Sequence, residues 1–215
     1  MSLFLKNLSV SKKNGGPLFS SLTTTIENSE ILTLMGPSGC GKSTLLDLLA
    51  GHLSDEFDYN GTFSLNNIDI STLEAHKRQV GILFQDDLLF PHLCIWENLA
   101  FALPNNIKGE DRKSEAITAL KAISLVHLAD SFPQQISGGQ RARISLIRML
   151  LAKPKLALLD EPFSKLDKEL RSQFRDWVVS ELKAANIPTL MVTHDKEDVP
   201  ANSKILNWPW STNHA

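Results

Sequence analysis

The nine residues GPSGCGKST, Gly36 to Thr44, bring three glycines, a lysine and three hydroxyl side chains together. Their spacing, G-x-x-x-x-G-K-[ST], falls between an apolar run, Ile31 to Met35, and a leucine-rich stretch, Leu45 to Leu53. That order reads as strand, loop and helix, the context in which such a loop binds phosphate. The loop Gly36, Pro37, Ser38, Gly39, Cys40 and Gly41 can cradle α- and β-phosphate oxygens with its backbone N–H groups, which every one of these residues except Pro37 carries. Lys42 can reach the β- and γ-phosphates, Ser43 can offer its hydroxyl to Mg²⁺, and Thr44 completes the motif. A chance glycine-rich turn is the competing explanation, and the flanking strand and helix count against it. Cys40 reads either as an alkylatable thiol in an open loop or as a small space-filling residue.

A second group of residues supplies hydrolytic chemistry. In LALLDEP, Asp160 ends a buried-strand pattern and can hold the hydration shell of Mg²⁺, while Glu161 can polarise a water aimed at a γ-phosphate. Gln85 follows the apolar run VGILF and His194 follows TLMVT, so both are expected at the same sheet edge as Lys42 and Asp160. Ligands of open parallel sheets sit outside the carboxyl ends of the strands. Taken singly, Gln85 is a loop residue and His194 a hydrogen-bonded structural one; their convergence carries the functional reading.

A second glycine pair lies in QQISGGQRAR, Gln134 to Arg143. Ser137, Gly138, Gly139 and Gln140 precede a helical pattern, whose N-terminus would aim N–H groups at an anion. The exposed face of a γ-phosphate is the candidate. Ser137 could fold back on its own phosphate loop, or a symmetric dimer could supply it from the neighbouring chain.

The elements that must position these residues follow from periodicity. Runs at 31–35, 80–84, 156–160 and 189–193 read as buried parallel strands. SLFLKNLSV, SLTTTIE and GTFSLNNIDI alternate like antiparallel strands and predict a small flanking sheet. Between Pro104 and Pro133 the chain turns charged and helical, with Ala116, Leu120, Ile123 and Leu125 as an apolar stripe. From Asp167, Leu170, Phe174, Trp177, Val178 and Leu182 recur at helical spacing, as on an amphipathic helix packed against a sheet.

The 215 residues allow one sizeable domain, and a net charge of −2 with dispersed Lys and Arg disfavours a nucleic-acid partner. Cys40 and Cys94 lack metal-ligand spacing, and the start MSLFLKNLSV lacks a signal-peptide pattern, which fits a cytoplasmic setting. No apolar run approaches the roughly 20 residues of a bilayer span. Membrane contact is expected only through a partner.

GPSGCGKST, FQDDLLFPHLCIWENLAF, ISGGQRARISLIRMLLAKPKLALLDEPFSKLD and VTHD, in that order, resemble the ATP-binding subunits of ABC transporters over nearly the whole chain. Within that family the chain resembles the small importer-type ATPases, and the YnjD-like bacterial subunits in particular. The resemblance implies an α/β P-loop NTPase, a RecA-like core of mostly parallel strands with an N-terminal antiparallel β subdomain and an inserted α-helical signature subdomain. One domain, 1–215, would comprise the nucleotide-binding core at 1–84 and 153–215 and the helical subdomain at 85–152. It further implies a Mg²⁺-dependent ATPase in which two subunits close head to tail and Ser137, Gly138, Gly139 and Gln140 of one cap the ATP of the other.

In that arrangement Gln85 touches Mg²⁺ and the attacking water, Glu161 is the base, His194 contacts the γ-phosphate, and Asp167 lies on the loop between the two sites. Ser43, Gln85 and Asp160 are the expected metal contacts. The groove around Gln85 would receive a helix of a membrane permease, with a solute-binding protein acting through it. The setting would be the inner face of a cytoplasmic membrane, the pairing a homodimer, with a heterodimer of two different ATPase subunits as the alternative, and the direction inward. A soluble ABC-type ATPase acting as a mechanical clamp is the alternative, although its repair and translation forms need insertions or a second half for which this length has no room.

The chain departs from the family pattern in three places. Lys12 and Lys13 stand where an aromatic residue usually stacks on adenine, and Phe19 is not assigned to that role. Ile136 replaces a leucine, and Lys165 stands where a small residue is common. After His194 the segment DVPANSKILNWPWSTNHA ends in Trp208, Pro209 and Trp210 without a glycine turn. Those tryptophans read as a short packed cap or as a partner-binding patch.

Overall fold

The computed structural model describes residues 2–164, 166 and 168–208. Strand β1 (Ser2–Lys12), β2 (Leu22–Glu27), β4 (Phe57–Leu65) and the short β5 (Ile68–Asp69) form an antiparallel sheet in the order β2-β1-β4-β5. Along β1, Leu3 and Leu5 are fully buried on either side of Phe4, which is 38% exposed. The register shifts between Leu5 and Leu8 against β2, and between Lys6 and Ser9 against β4. That extra residue moves even-numbered Leu8 and Val10 onto the face already taken by Leu3 and Leu5, so one strand keeps a single apolar face across a bulge.

The second sheet contains β3 (Ile31–Met35), β6 (Val80–Leu83), β7 (Leu156–Asp160), β8 (Thr189–Thr193) and β9 (Lys204–Asn207) in the order β6-β7-β8-β3-β9. Every neighbouring pair is parallel. Successive residues of β7 enter opposite cores. Leu156 and Leu158 join the cluster shared with the antiparallel sheet, whereas Ala157 and Leu159 join Phe163, Phe174, Val178 and Met191 on the other face. Burial on both faces explains the unbroken apolar runs.

Helix α1 (Lys42–Ala50) follows β3 and stops before the expected Leu53, because Gly51 turns into the left-handed region at φ 89°. Buried Arg78 donates to the carbonyls of Leu48 and Leu49 at the helix end, where the Leu48 carbonyl also accepts the Gly51 N–H at 3.2 Å. Helices α2 (Ile95–Ala102) and α3 (Glu110–Ala122) pack with α4 (Gly138–Leu151) around a third apolar cluster that contains the expected stripe of Ala116, Leu120, Ile123 and Leu125. α4 has two apolar faces: Ile144 and Ile147 enter that cluster, and Leu146 and Met149 pack on the parallel sheet.

Helix α5 (Lys168–Ala184) buries Phe174, Val178 and Leu182 against the same sheet. Leu170 departs from the expected stripe and is 37% exposed, since the first turn of α5 carries it past the sheet toward Gly139. Strand β9 is also absent from the sequence expectation. It lies at the edge beside β3, and its exposed or half-buried side chains leave no apolar signature. Among the described residues, no helix is long and apolar enough to cross a membrane.

Candidate active site

The phosphate-loop motif connects the end of β3 to the start of α1. Gly36 donates its N–H to the Thr193 carbonyl at 3.3 Å. A Cβ on Gly36 would lie 2.1 Å from the Trp208 carbonyl oxygen, so the backbone approach excludes any side chain there. Gly41 caps α1 at φ 87°, a left-handed conformation that costs other residues strain. The Lys42 side chain runs back over the loop. Its Nζ donates to the carbonyls of Gly36 and Pro37, both at 2.7 Å, and the residue is only 5% exposed. Carbonyl dipoles thus compensate a buried cation and aim it across the loop.

Trp208 braces this loop from behind. Its backbone N–H donates to the Met35 carbonyl and its indole Nε1–H to the Cys40 carbonyl, each at 2.7 Å. The buried ring packs on Phe19 with centroids 4.4 Å apart. Trp208 is therefore a packed cap, as the first of the two C-terminal readings expects, whereas Pro209 and Trp210 lie outside the described residues. Phe19 is committed to the core.

Ser43 donates its hydroxyl to Asp160 Oδ1 at 3.2 Å, joining the start of α1 to the end of β7. Burial pushes the Asp160 carboxyl above the usual carboxylate range and neighbouring Glu161 adds to the rise, while the Ser43 hydrogen bond and the Lys42 charge oppose it. Glu161 adopts φ 45°, a strained conformation for a non-glycine residue, with its N–H donated to the Val192 carbonyl at 3.0 Å. Across from it, His194 Nδ1 lies 2.8 Å from Glu161 Oε1.

One open cavity of about 480 Å³ brings together Ser38, Gly39, Gly41, Lys42, Ser43, Thr44, Gln85, Asp160 and Glu161. The Ser43 hydroxyl, the Asp160 carboxylate and the Gln85 amide oxygen form an all-oxygen donor set that fits Mg²⁺. Among the described residues no three His, Cys, Asp or Glu side chains gather as a metal cluster. Mg²⁺ commonly takes one or two carboxylates and completes its shell with water and phosphate oxygens.

Ser137 is the N-cap of α4. Its hydroxyl accepts the Gln140 N–H at 3.3 Å and its own N–H reaches Gln140 Oε1 at 2.8 Å, a reciprocal capping box that gives both residues a local role. Gly138 and Gly139 form the first turn between them. None of Ser137, Gly138, Gly139 and Gln140 is among the residues lining the phosphate-loop cavity. Asp167 and Lys165 lie outside the described residues.

Several residues of this region were not singled out from the sequence. Asp87 binds the segment after Gln85 to α4: its carboxylate accepts Arg141 Nε at 2.7 Å and its carbonyl accepts the Ser145 hydroxyl at 2.7 Å. Arg148 donates to the carbonyls of Leu88 and Asp87. Phe57 and Leu18 line the cavity with Lys12 on the side of the antiparallel sheet. The family pattern places an aromatic residue near Lys12 in the chain, whereas Phe57 arrives from β4.

The protein-family model described as ABC transporter matches residues 19–164. The chain is 46% identical over 213 residues to an uncharacterized ABC transporter ATP-binding protein, YnjD, of Escherichia coli, covering 99% of this chain and 98% of that protein. It is 38% identical to the sulfate/thiosulfate import ATP-binding protein CysA of Pseudomonas aeruginosa, over 92% of this chain and 60% of that protein. It is 40% identical to the spermidine/putrescine import ATP-binding protein PotA of Haemophilus influenzae, over 88% of this chain and 51% of that protein. The chain thus spans little more than half the length of these two import proteins but nearly all of YnjD. A family match over most of the chain and a full-length relative agree, and the chain belongs to the ABC transporter family as an ATP-binding protein with the P-loop NTPase fold.

Proposed function

We propose that this protein is the Mg²⁺-dependent ATPase subunit of a solute importer, working as a head-to-tail dimer beneath a separate membrane permease. The carrying observation is the shared cavity in which the phosphate loop, Ser43 with Asp160, Gln85 and Glu161 meet, with His194 outside the lining residues but 2.8 Å from the Glu161 carboxylate. Backbone N–H groups and Lys42 would hold the triphosphate. Ser43, Asp160 and Gln85 would hold Mg²⁺, which when bound would neutralise charge on the phosphate oxygens. Glu161 would accept the proton of the attacking water, and His194 would orient that carboxylate while contacting the γ-phosphate.

The pairing argument rests on Ser137 and its neighbours. They start a 14-residue helix, and they are not among the lining residues of their own chain's phosphate cavity. A second copy is the simplest source of a cap for the γ-phosphate, and closure of the two copies would transmit the binding energy outward.

A groove of about 340 Å³ beside Gln85 supports a permease contact. Phe84, Leu88 and Phe101 are 38%, 54% and 67% exposed there, with Arg148 and Asp86 at its rim. Exposed apolar side chains bordered by charges suit an amphipathic helix. The inward direction is drawn from the import proteins similar to this chain, and a solute-binding protein acting through the permease and a location on the inner membrane face belong to the same importer reading.

The test is the mass of the Glu161→Gln protein with and without ATP and Mg²⁺, read by sizing with light scattering. Loss of the base with binding retained should turn a transient dimer into a stable one. Ser137→Arg in that background should return it to monomer while each chain still binds ATP. A monomer under all conditions, with ATP bound, would remove the composite site.

A further inference from the structure

Glu161 and His194 lie past the last register pair of their two strands, Asp160 with Val192, yet their side chains meet at 2.8 Å. Arg171, in the first turn of α5, bonds to both of the segments that carry them. We propose that Arg171 is a positioning residue for hydrolysis, which ties the segment after Glu161 to the one after His194 and so fixes how His194 meets the carboxylate. The proposal rests on the hydrolytic reading of that pair.

The guanidinium reaches in two directions. One terminal nitrogen donates to the Leu166 carbonyl at 3.3 Å and the other to Asp195 Oδ2 at 2.7 Å. Leu166 donates its own N–H to the Phe163 carbonyl at 3.1 Å, and Ser164 gives its N–H and its hydroxyl to the Glu161 carbonyl at 3.2 and 3.0 Å. A run of short bonds therefore leads from the arginine back to the backbone of Glu161. On the other side, Asp195 follows His194 directly. Its second oxygen accepts the Glu197 N–H at 2.9 Å, and its own N–H donates to the Thr193 hydroxyl at 3.1 Å. The residue that Arg171 grips is thus locked to the chain on both sides. The Glu197 N–H holds the Asp195 carboxyl below the usual range against its partial burial, with the Arg171 charge assisting, so the pair is ionised at neutral pH.

Two more basic residues of α5 share this helix face. Lys168 pairs with the Glu197 carboxylate at 3.0 Å, and Arg175 donates to the Glu197 carbonyl. The Lys168 pair is solvated at both ends, and such pairs contribute little. Arg171 differs. Its side chain is 20% exposed, its bond to Asp195 is charge-assisted, and its buried Nε has no hydrogen-bond partner among the described residues. An unpaired interior donor is costly, so the guanidinium sits where its two outer bonds require rather than where its own hydrogen bonding would be complete. Arg171 is not among the residues lining the phosphate cavity, so its route to the chemistry runs through His194 and Glu161. It also lies 3.7 Å from Oδ1 of buried Asp198, and removing it should lower stability as well.

Single-turnover phosphate release, ATP Kd and Tm of the full chain separate the two effects, in Arg171→Ala, Asp195→Asn and the combination of each with His194→Ala. Asp195→Asn loses the ion pair at a partly exposed position, keeps an oxygen for the Glu197 N–H and leaves Arg171 beside Asp198. Each single variant should slow release about tenfold with the ATP Kd within about twofold of the wild type. In the His194→Ala background each should slow it by less than about twofold more, a saturation that lowered stability would not produce. Normal release from Asp195→Asn, or a loss that multiplies with that of His194→Ala, would overturn the proposal whether or not Arg171→Ala folds. Unchanged release from His194→Ala with ATP bound would overturn the reading of the Glu161–His194 pair and this proposal with it. A loss in His194→Ala beside an unaffected Asp195→Asn would overturn the positioning role alone.

Discussion

His194 Nδ1 lies 2.8 Å from Glu161 Oε1, linking the turn after β8 to the end of β7. Glu161 can still offer a carboxylate oxygen to a water while His194 restricts its rotation. If the two act as a unit, Glu161→Gln and His194→Ala should each lower phosphate release by about 10²–10³-fold, and the double variant should fall no further than the worse single one. Multiplying losses in single-turnover assays would instead assign them independent roles.

The Asp87–Arg141 ion pair predicts a different pattern. It joins the segment after Gln85 to the helix that begins with Ser137, and Arg141 also donates to the Ile136 carbonyl at 2.8 Å. Both side chains lie outside the phosphate cavity. Arg141→Ala should leave the ATP Kd within about twofold and slow turnover by roughly tenfold, with a coupling of about 0.5–3 kcal/mol to Asp87→Ala. An additive double-mutant cycle would show that the pair only decorates the surface.

Much of this arrangement was readable because local physics constrains residue type at fixed spacing. The loop before α1 needs a glycine at φ 87°, and strands β3, β7 and β8 need apolar side chains on both faces, so each leaves a short-range signature. Ser137 and Gln140 show the spacing of an N-cap and its N3 partner for the same reason. β9 left none, because an edge strand with solvated side chains needs no apolar pattern. Asp87 and Arg141 lie 54 positions apart, and Trp208 and Cys40 lie 168 apart. Pairings set by the assembled fold rather than by the local chain carry no periodic trace.

Trp208 separates positioning from packing. Trp208→Phe keeps a ring against Phe19 but loses the hydrogen bond to the Cys40 carbonyl, a net change of about 1 kcal/mol. If the indole orients the loop, ATP affinity should fall about fivefold while Tm drops by no more than roughly 4 °C. Trp208→Ala should instead cost about 3–5 kcal/mol of stability by leaving a cavity. A Trp208→Phe protein with lowered Tm and unchanged Kd would reduce the residue to a core side chain.

Asp198 is one of the buried carboxyls that give stability a pH dependence. It is 2% exposed, and its Oδ2 accepts the Thr193 hydroxyl at 3.0 Å, while Oδ1 has no hydrogen-bond partner among the described residues. Burial raises its carboxyl above the usual range, against the opposing Thr193 bond and Arg171 charge. The folded state therefore holds this proton more tightly than the unfolded chain. That contribution to stability is fully present below the unfolded carboxylate pKa and is lost as pH rises through the raised folded value. Asp198→Asn removes the buried charge and leaves an oxygen for Thr193, whose own Oγ1 also accepts the Asp195 N–H at 3.1 Å beside His194. The variant should melt roughly 2–4 °C above the wild type at pH 8, and the gain should shrink toward zero near pH 4. A loss of Tm at every pH would mean instead that the Arg171 guanidinium, 3.7 Å from Oδ1, outweighs the cost of burying the charge.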